Sequence, residues 1–202
     1  MNSQINNYKI TLIGDSFVGK TMISNAIIDA PFSDDYVPSV GASMVRIQYN
    51  DKNTGAASCI RLWDTAGQEK YQSLASVFFQ DSQAAIIVYD VSLKTSFQNV
   101  HKWHELYLDN VQTSNNKFLI VANKIDLREE NTTDSQQNSK YISTEKGKEC
   151  AYALNADFLE VSAKTGENIN LIVKKMIEYA QSVNKKVTEP LQPVANEKKN
   201  CC

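Results

Sequence analysis

Apolar and polar positions along the chain follow two rhythms. Short apolar-rich runs predict strands near 8–14, 42–50, 56–63, 83–90, 117–122 and 157–162. Most of these runs are separated by stretches long enough for a helix, which is the signature of βα units on a largely parallel sheet. The second and third runs are the exception, with only Asn50-Asp51-Lys52-Asn53-Thr54-Gly55 between them. That is too short for a crossover helix, so these two strands are expected to pair as an antiparallel hairpin. The clearest helix follows Gly166, where Ile169, Ile172, Val173, Met176, Ile177 and Ala180 form one apolar stripe at helical spacing. A second helix is expected to start at Thr95, its hydroxyl capping the first turn while Gln98 reaches back in a capping box. Trp103, Tyr107 and Val111 on that helix read as packing residues.

Two stretches break the rhythm. Residues 129–140 contain no apolar side chain and are expected to form a surface loop. Residues 184–202 have two prolines, no periodicity and four Lys against two Glu, the composition of a flexible, mildly basic tail. The expected organisation is one globular domain over 1–183 followed by the tail over 184–202, consistent with 202 residues in total.

Composition removes several function classes. The net charge of −2 with 42% hydrophobic residues lacks the basic excess of a dedicated nucleic-acid binder and is too apolar for wholesale disorder. The longest apolar run, 84–89, falls far short of the roughly 20 residues a transmembrane helix needs. The N-terminus has no secretory pattern, and Asn2 excludes N-myristoylation, so a cytosolic protein is expected. Cys59, Cys150, Cys201 and Cys202 do not make a disulfide framework.

Three motifs carry the candidate chemistry. Gly14-Asp15-Ser16-Phe17-Val18-Gly19-Lys20-Thr21 fits G-x-x-x-x-G-K-S/T and lies between a strand and an apolar-periodic helix. Such a loop aims backbone N–H groups at phosphates. Lys20 adds charge for the β and γ phosphates, the Thr21 hydroxyl is a Mg²⁺ ligand, and Met22 continues the cradle into the helix. A dinucleotide fold is the other glycine-rich option, but the loop lacks G-x-G-x-x-G spacing. In Trp63-Asp64-Thr65-Ala66-Gly67-Gln68-Glu69, Asp64 can hold Mg²⁺ through water and the Gly67 N–H can meet a γ phosphate. Gln68 can orient an attacking water. The third motif is Asn123-Lys124-Ile125-Asp126, joined by Ser162-Ala163-Lys164 after the sixth strand. The Asp126 carboxylate can accept two hydrogen bonds from guanine, whereas adenine offers no such donor pair, and unpaired buried polar groups penalise the wrong base. That speaks against an ATP-using kinase or ATPase.

These motifs, in this order over residues 8–183, resemble a Ras-superfamily small GTPase. Within it the chain resembles the Rab branch in Trp63, in Gln68-Glu69-Lys70-Tyr71-Gln72-Ser73-Leu74, in the Gly41 of Ser39-Val40-Gly41 and in Cys201-Cys202. Gly41-Ala42-Ser43 and Gln83-Ala84-Ala85-Ile86-Ile87-Val88-Tyr89-Asp90 look most like the endosomal Rabs.

The resemblance implies a three-layer α/β fold: a six-stranded, mostly parallel sheet with one antiparallel hairpin edge and helices on both faces. It also implies a switch that cycles between GTP and GDP with Mg²⁺, hydrolyses GTP slowly without an activator, and regulates vesicular and endosomal traffic. Residues 32–39 become the first switch, with Phe32 across the guanine plane and Ser39 completing the Mg²⁺ shell. Implied partners are an exchange factor, an activating protein, an escort or dissociation-inhibitor chaperone, and effectors that meet Met44, Trp63 and Phe78. Lipids on Cys201 and Cys202 would hold the protein at the cytosolic face of endosomal or vesicular membranes. Three positions depart from the family pattern: Ser39 replaces the usual Thr, Phe17 a small residue, and Met44 the common Phe. The alternative they raise is a GTP-binding module that does not cycle efficiently because of Phe17 and Ser39.

Overall fold

The computed structural model describes residues 6–29, 42–50, 55, 57–65, 75–111, 116–129 and 140–187. The elements run β1 (Asn6–Ile13), α1 (Lys20–Ile27), β2 (Ala42–Asn50), β3 (Ala57–Thr65), α2 (Ala75–Phe79), β4 (Ala84–Asp90), α3 (Lys94–Gln98) and α4 (Val100–Asn110). They continue with β5 (Lys117–Asn123), α5 (Asp126–Glu129), α6 (Thr144–Ala153), β6 (Asp157–Glu160) and α7 (Ile169–Val187). The strands form one six-stranded sheet in the order β2-β3-β1-β4-β5-β6. The β2–β3 pair is antiparallel and every other pair is parallel. All six strands and the expected hairpin edge are therefore present.

The sheet is the middle layer of three. On one face Leu12, Leu62, Ile86 and Leu119 meet Ile23 of α1 and Ile172 and Met176 of α7. On the other, Ile87, Tyr89 and Ile120 meet Phe79 of α2, Val100 and Tyr107 of α4, and Ala151 of α6. All seven residues of β4 are buried, which is why that strand reads as an apolar run rather than an alternation. The stripe predicted after Gly166 is the buried face of α7: Ile169, Ile172, Met176 and Ala180 lie in the core, and Val173 and Ile177 pack against it.

Local departures have physical causes. Thr95 does not cap a helix. α3 starts at Lys94, with Leu93 in the capping place and no side-chain cap. The local oxygen is Ser96 Oγ, which is buried, accepts from the Asp90 N–H at 3.1 Å and donates to Leu93 O at 2.8 Å. A buried hydroxyl that closes the turn after β4 outweighs the exposed Thr95. α4 follows after Asn99 alone, which keeps near-helical angles of φ −77 and ψ −6. α7 runs to Val187, four residues into the segment expected as tail. In the polar stretch expected as a loop, Glu129 closes α5 and residues 130–139 lie outside the described residues. Among the described residues Cys59 and Cys150 are free thiols, and no helix is long and apolar enough to cross a membrane.

The strand order sets the position of the site. β1 lies between β3 and β4, so the chain leaving its C-terminal end emerges where the connections diverge, the crevice in which open α/β sheets bind ligands. The β1–β3 register sets Asp64 beside Leu12, and Thr65 Oγ1 donates to Leu12 O at 2.8 Å. The β4–β5 register sets Asp90 beside Asn123.

Candidate functional site

The Gly14–Thr21 loop closes tightly because two of its residues lack a side chain. A Cβ on Gly14 (φ 141) would lie 2.3 Å from Val88 O, and one on Gly19 (φ 97) would lie 2.3 Å from Asn123 Nδ2. The loop delivers Lys20 as the first residue of α1, a helix with no acidic residue in its first turn, so its N-terminal N–H groups remain favourable to an anion. Lys20 is buried, and its Nζ donates to Gly14 O at 2.9 Å and Asp15 O at 2.7 Å. Burial pushes its pKa down to about 8, with Asp64 and Asp15 pulling the other way.

Thr21 Oγ1 donates to Asp64 Oδ2 at 2.7 Å. Asp64 is 1% exposed, and its Oδ1 has no hydrogen-bond partner among the described residues. Burial raises its pKa, opposed by the Thr21 hydrogen bond and the Lys20 charge. An unsatisfied buried carboxylate oxygen beside a hydroxyl is costly in isolation. It is also the all-oxygen donor set that suits Mg²⁺, so the residues present fit that ion.

The other end of the crevice is built from two strand ends. Asn123 closes β5, and its side chain works in both directions: Nδ2 donates to Val18 O at 2.8 Å, and Oδ1 accepts from the Ala163 N–H at 3.1 Å. Lys124 (φ 67) extends Nζ to Asp90 Oδ2 at 2.7 Å and to Phe17 O at 2.9 Å. Asp126 opens α5 and receives a 2.6 Å hydrogen bond from the buried Ser162 Oγ, which also accepts from the Thr165 N–H at 3.1 Å. Beyond them Arg128 and Glu160 pair at 2.6 Å, and Thr144 Oγ1 donates to Glu160. This pins α5, the start of α6 and β6 together.

The structure thus gathers Gly14, Asp15, Ser16, Phe17, Val18, Gly19, Lys20, Thr21, Asp64, Asn123, Lys124, Asp126, Ser162 and Ala163 at one end of the sheet. Lys164 follows in an exposed turn, and the Met22 side chain packs against the core shared by α1 and α7. Phe17 adopts the left-handed conformation with φ 64 and is 60% exposed, so the loop carries its bulk at the surface. Met44 is Trp63's cross-strand neighbour on the β2–β3 edge, and Phe78 on α2 packs against the other core. Phe32, Ser39, Gly67, Gln68, Cys201 and Cys202 lie outside the described residues.

Three residues that the motifs did not single out, Asp90, Asn99 and Trp103, belong to this machinery. Asp90 holds Lys124. Asn99 Nδ2 and Trp103 Nε1 donate to the two carboxylate oxygens of Asp15 at 2.8 and 2.7 Å. Apart from it, Lys9, buried on β1, donates to Gln80 O at 2.7 Å and lies 4.8 Å over the Trp63 ring. Trp103 does pack against the core, as its spacing implies, but its indole N–H has a second role that periodicity does not register.

A phosphate loop at the switch point of a mixed sheet, with a hydroxyl–carboxylate pair beside its lysine, defines a P-loop nucleotide-binding protein. The comparisons with known proteins go one step further. Residues 9–182 match the family model described as Ras family. The chain is 34% identical over 167 residues to Ras-related protein RABG3f of Arabidopsis thaliana, and 34% identical over 168 residues to Ras-related protein Rab7 of Prunus armeniaca. Each alignment covers 80% of this chain and 76% of the relative. It is 32% identical over 195 residues to GTP-binding protein YPT52 of Saccharomyces cerevisiae, covering 88% of this chain and 83% of the relative. The chain belongs to the Ras family of small GTPases, in its Rab branch.

Proposed function

We propose that this protein is a guanine-nucleotide switch that hydrolyses GTP and regulates endosomal or vacuolar membrane traffic. The observation that carries the nucleotide reading is the Asp126 carboxylate, held by Ser162 at 2.6 Å on the side of the crevice that Asn123 ties to the phosphate loop. A fixed acceptor at that place selects a base with two adjacent donors, and guanine is that base. The relatives' names, Rab7 and GTP-binding protein YPT52, support the traffic reading.

In this reading the backbone of residues 14–19 cradles the phosphates, and Lys20 places its ammonium on the charge that builds between the β and γ groups. Thr21, Ser39 and Asp64 would hold Mg²⁺, whose charge neutralises the phosphate oxygens. Gly67 meets the γ phosphate, Gln68 orients the attacking water, Phe32 covers the base, and Ser162, Ala163 and Lys164 line its far edge. Unaided turnover is slow, and an activating protein supplies the missing positive charge. Loss of the γ phosphate releases residues 32–44 and 64–78 and so changes partners, among them exchange factors, escort chaperones and effectors reaching Met44, Trp63 and Phe78. Lipids on Cys201 and Cys202 give stable anchoring where one chain gives only reversible binding. The alternative, a binder that does not cycle because of Phe17 and Ser39, gains no support from the fold or the relatives.

The deciding experiment is competition of GTP, GDP, ATP and XTP for the purified protein, followed by single-turnover hydrolysis of the bound triphosphate. GTP and GDP are expected to win by orders of magnitude, and Gln68→Leu to bind normally but hydrolyse more slowly with an activator. Equal retention of ATP would overturn the reading. A Cys201→Ser/Cys202→Ser double variant is expected to move from membranes to cytosol with nucleotide binding intact.

A further inference from the structure

Asp15 places a carboxylate in a loop whose backbone serves phosphate, an electrostatic liability unless that charge is oriented and absorbed. Both of its oxygens are engaged from outside the loop. Asn99 Nδ2 donates to Oδ2 at 2.8 Å and Trp103 Nε1 donates to Oδ1 at 2.7 Å. The two donors are four residues apart, Asn99 at the entrance to α4 and Trp103 one turn into it, and so share one helix face. The Trp103 ring is set in turn by packing against the core that contains Tyr107 and Phe118. The backbone carbonyl of Asp15 is one of the two that hold the buried Lys20 ammonium. A continuous path therefore leads from the α4 core, through the Asp15 side chain, to the lysine aimed into the phosphate loop.

We propose that Asn99 and Trp103 are positioning residues of the nucleotide site: their grip on Asp15 fixes the phosphate loop with Lys20 in place and sets how long nucleotide stays bound. They act through Asp15 and touch no reacting atom. The Asp15 carboxylate is turned onto two N–H donors, and the loop gains a rigid support on the side away from the α1–α7 core. The proposal rests on the guanine-nucleotide reading above.

Release of a fluorescent GDP analogue from the full-length protein in Mg²⁺ tests it. Trp103→Phe keeps a ring in the core but removes the donor, and is expected to release nucleotide about tenfold faster, the scale of a lost hydrogen bond to a charged group. Asn99→Ala is expected to give about fivefold. Asn99→Asp sets two carboxylates face to face and should exceed Asn99→Ala. Adding Asp15→Asn to Asn99→Asp reverses the donor and acceptor of that pair and leaves Trp103 an acceptor, so release returns to within about threefold of wild type. A packing role alone would lower the melting temperature of Trp103→Phe without changing release and would give no rescue in the swap. If Trp103→Phe does not fold, the Asn99 series decides alone. A wild-type chain that binds no guanine nucleotide overturns the guanine reading and this proposal together. A wild type that binds, with single variants releasing at its rate or a swap no slower than Asn99→Asp, overturns this proposal only.

Discussion

Ser162 Oγ donates to Asp126 Oδ1 across 2.6 Å, joining the turn after β6 to the first residue of α5. The bond orients a carboxylate that could otherwise rotate, and Ser162 is itself fixed by accepting the Thr165 N–H. Ser162→Ala is expected to weaken GDP binding by about fivefold to tenfold while preserving the preference for guanine. Asp126→Asn is expected to change the preference itself, toward xanthine nucleotides, because an amide can donate where the carboxylate accepted. Calorimetric titrations with GDP and XDP distinguish the two, and unchanged GDP affinity in Asp126→Asn would refute the assignment of that residue to the base.

In the proposed switch the Thr21–Asp64 pair is expected to separate the nucleotides by their phosphate count. Thr21→Asn removes the hydroxyl that meets Asp64 at 2.7 Å and disturbs the oxygen set that fits Mg²⁺. GTP affinity is expected to fall roughly tenfold more than GDP affinity, since an ion held by Thr21 and Asp64 would neutralise more phosphate charge in the triphosphate. Parallel titrations in Mg²⁺ and in a chelator check this; equal losses for the two nucleotides would remove Thr21 from that role.

Lys9 gives a pH dependence. Burial lowers its pKa from the ordinary 10.5, with the Asp81 charge raising it and Arg61 lowering it further. The unfolded chain therefore holds this proton to higher pH than the folded one, so the cost of charging Lys9 is full below its lowered pKa and is relieved as pH rises towards 10.5. Lys9→Met carries no such cost but leaves Gln80 O without its donor. The stability of wild type relative to Lys9→Met is expected to increase between pH 7.5 and about pH 10. Urea melts at the two pH values measure the difference, and a gap that stays constant or narrows contradicts the burial argument.

Gly147 lies inside α6, where a Cβ would come within 2.5 Å of the Phe158 ring and 2.7 Å of Tyr89 Oη. Glycine is what lets that helix approach the sheet. Gly147→Ala gains about 1 kcal/mol of helix propensity, but overpacking costs more. The net loss of about 1–2 kcal/mol corresponds to a melting point lower by roughly 2–8 °C. A thermal scan showing an unchanged or raised midpoint would mean that α6 shifts freely.

The legible features were those carried by neighbours in sequence. β4 shows as an apolar run because every one of its residues is buried. The phosphate loop shows because tight closure demands glycines at fixed offsets from Lys20. Less visible were contacts whose partners are far apart along the chain. Trp103 and Asp15 are 88 residues apart, and an indole N–H does not disturb the helical spacing of the ring that carries it. The Thr95 cap failed for a related reason: the hydroxyl that closes the turn is the buried Ser96, which exposed capping patterns do not identify. The grip of Asp90 on Lys124 depends on β4 and β5 lying side by side in register, a fact of topology rather than of motif.

Asn123 spends its donor on Val18 and its acceptor on Ala163, which makes it a connector with polarity. Aspartate, nearly identical in volume, would offer two sockets and no plug, and would set a carboxylate against the Val18 carbonyl. What position 123 demands is therefore direction rather than size. Lys124 adds a second tie to the same loop through Phe17 O, but only Asn123 also reaches the turn after β6, so damage there would loosen three segments of the crevice in one stroke.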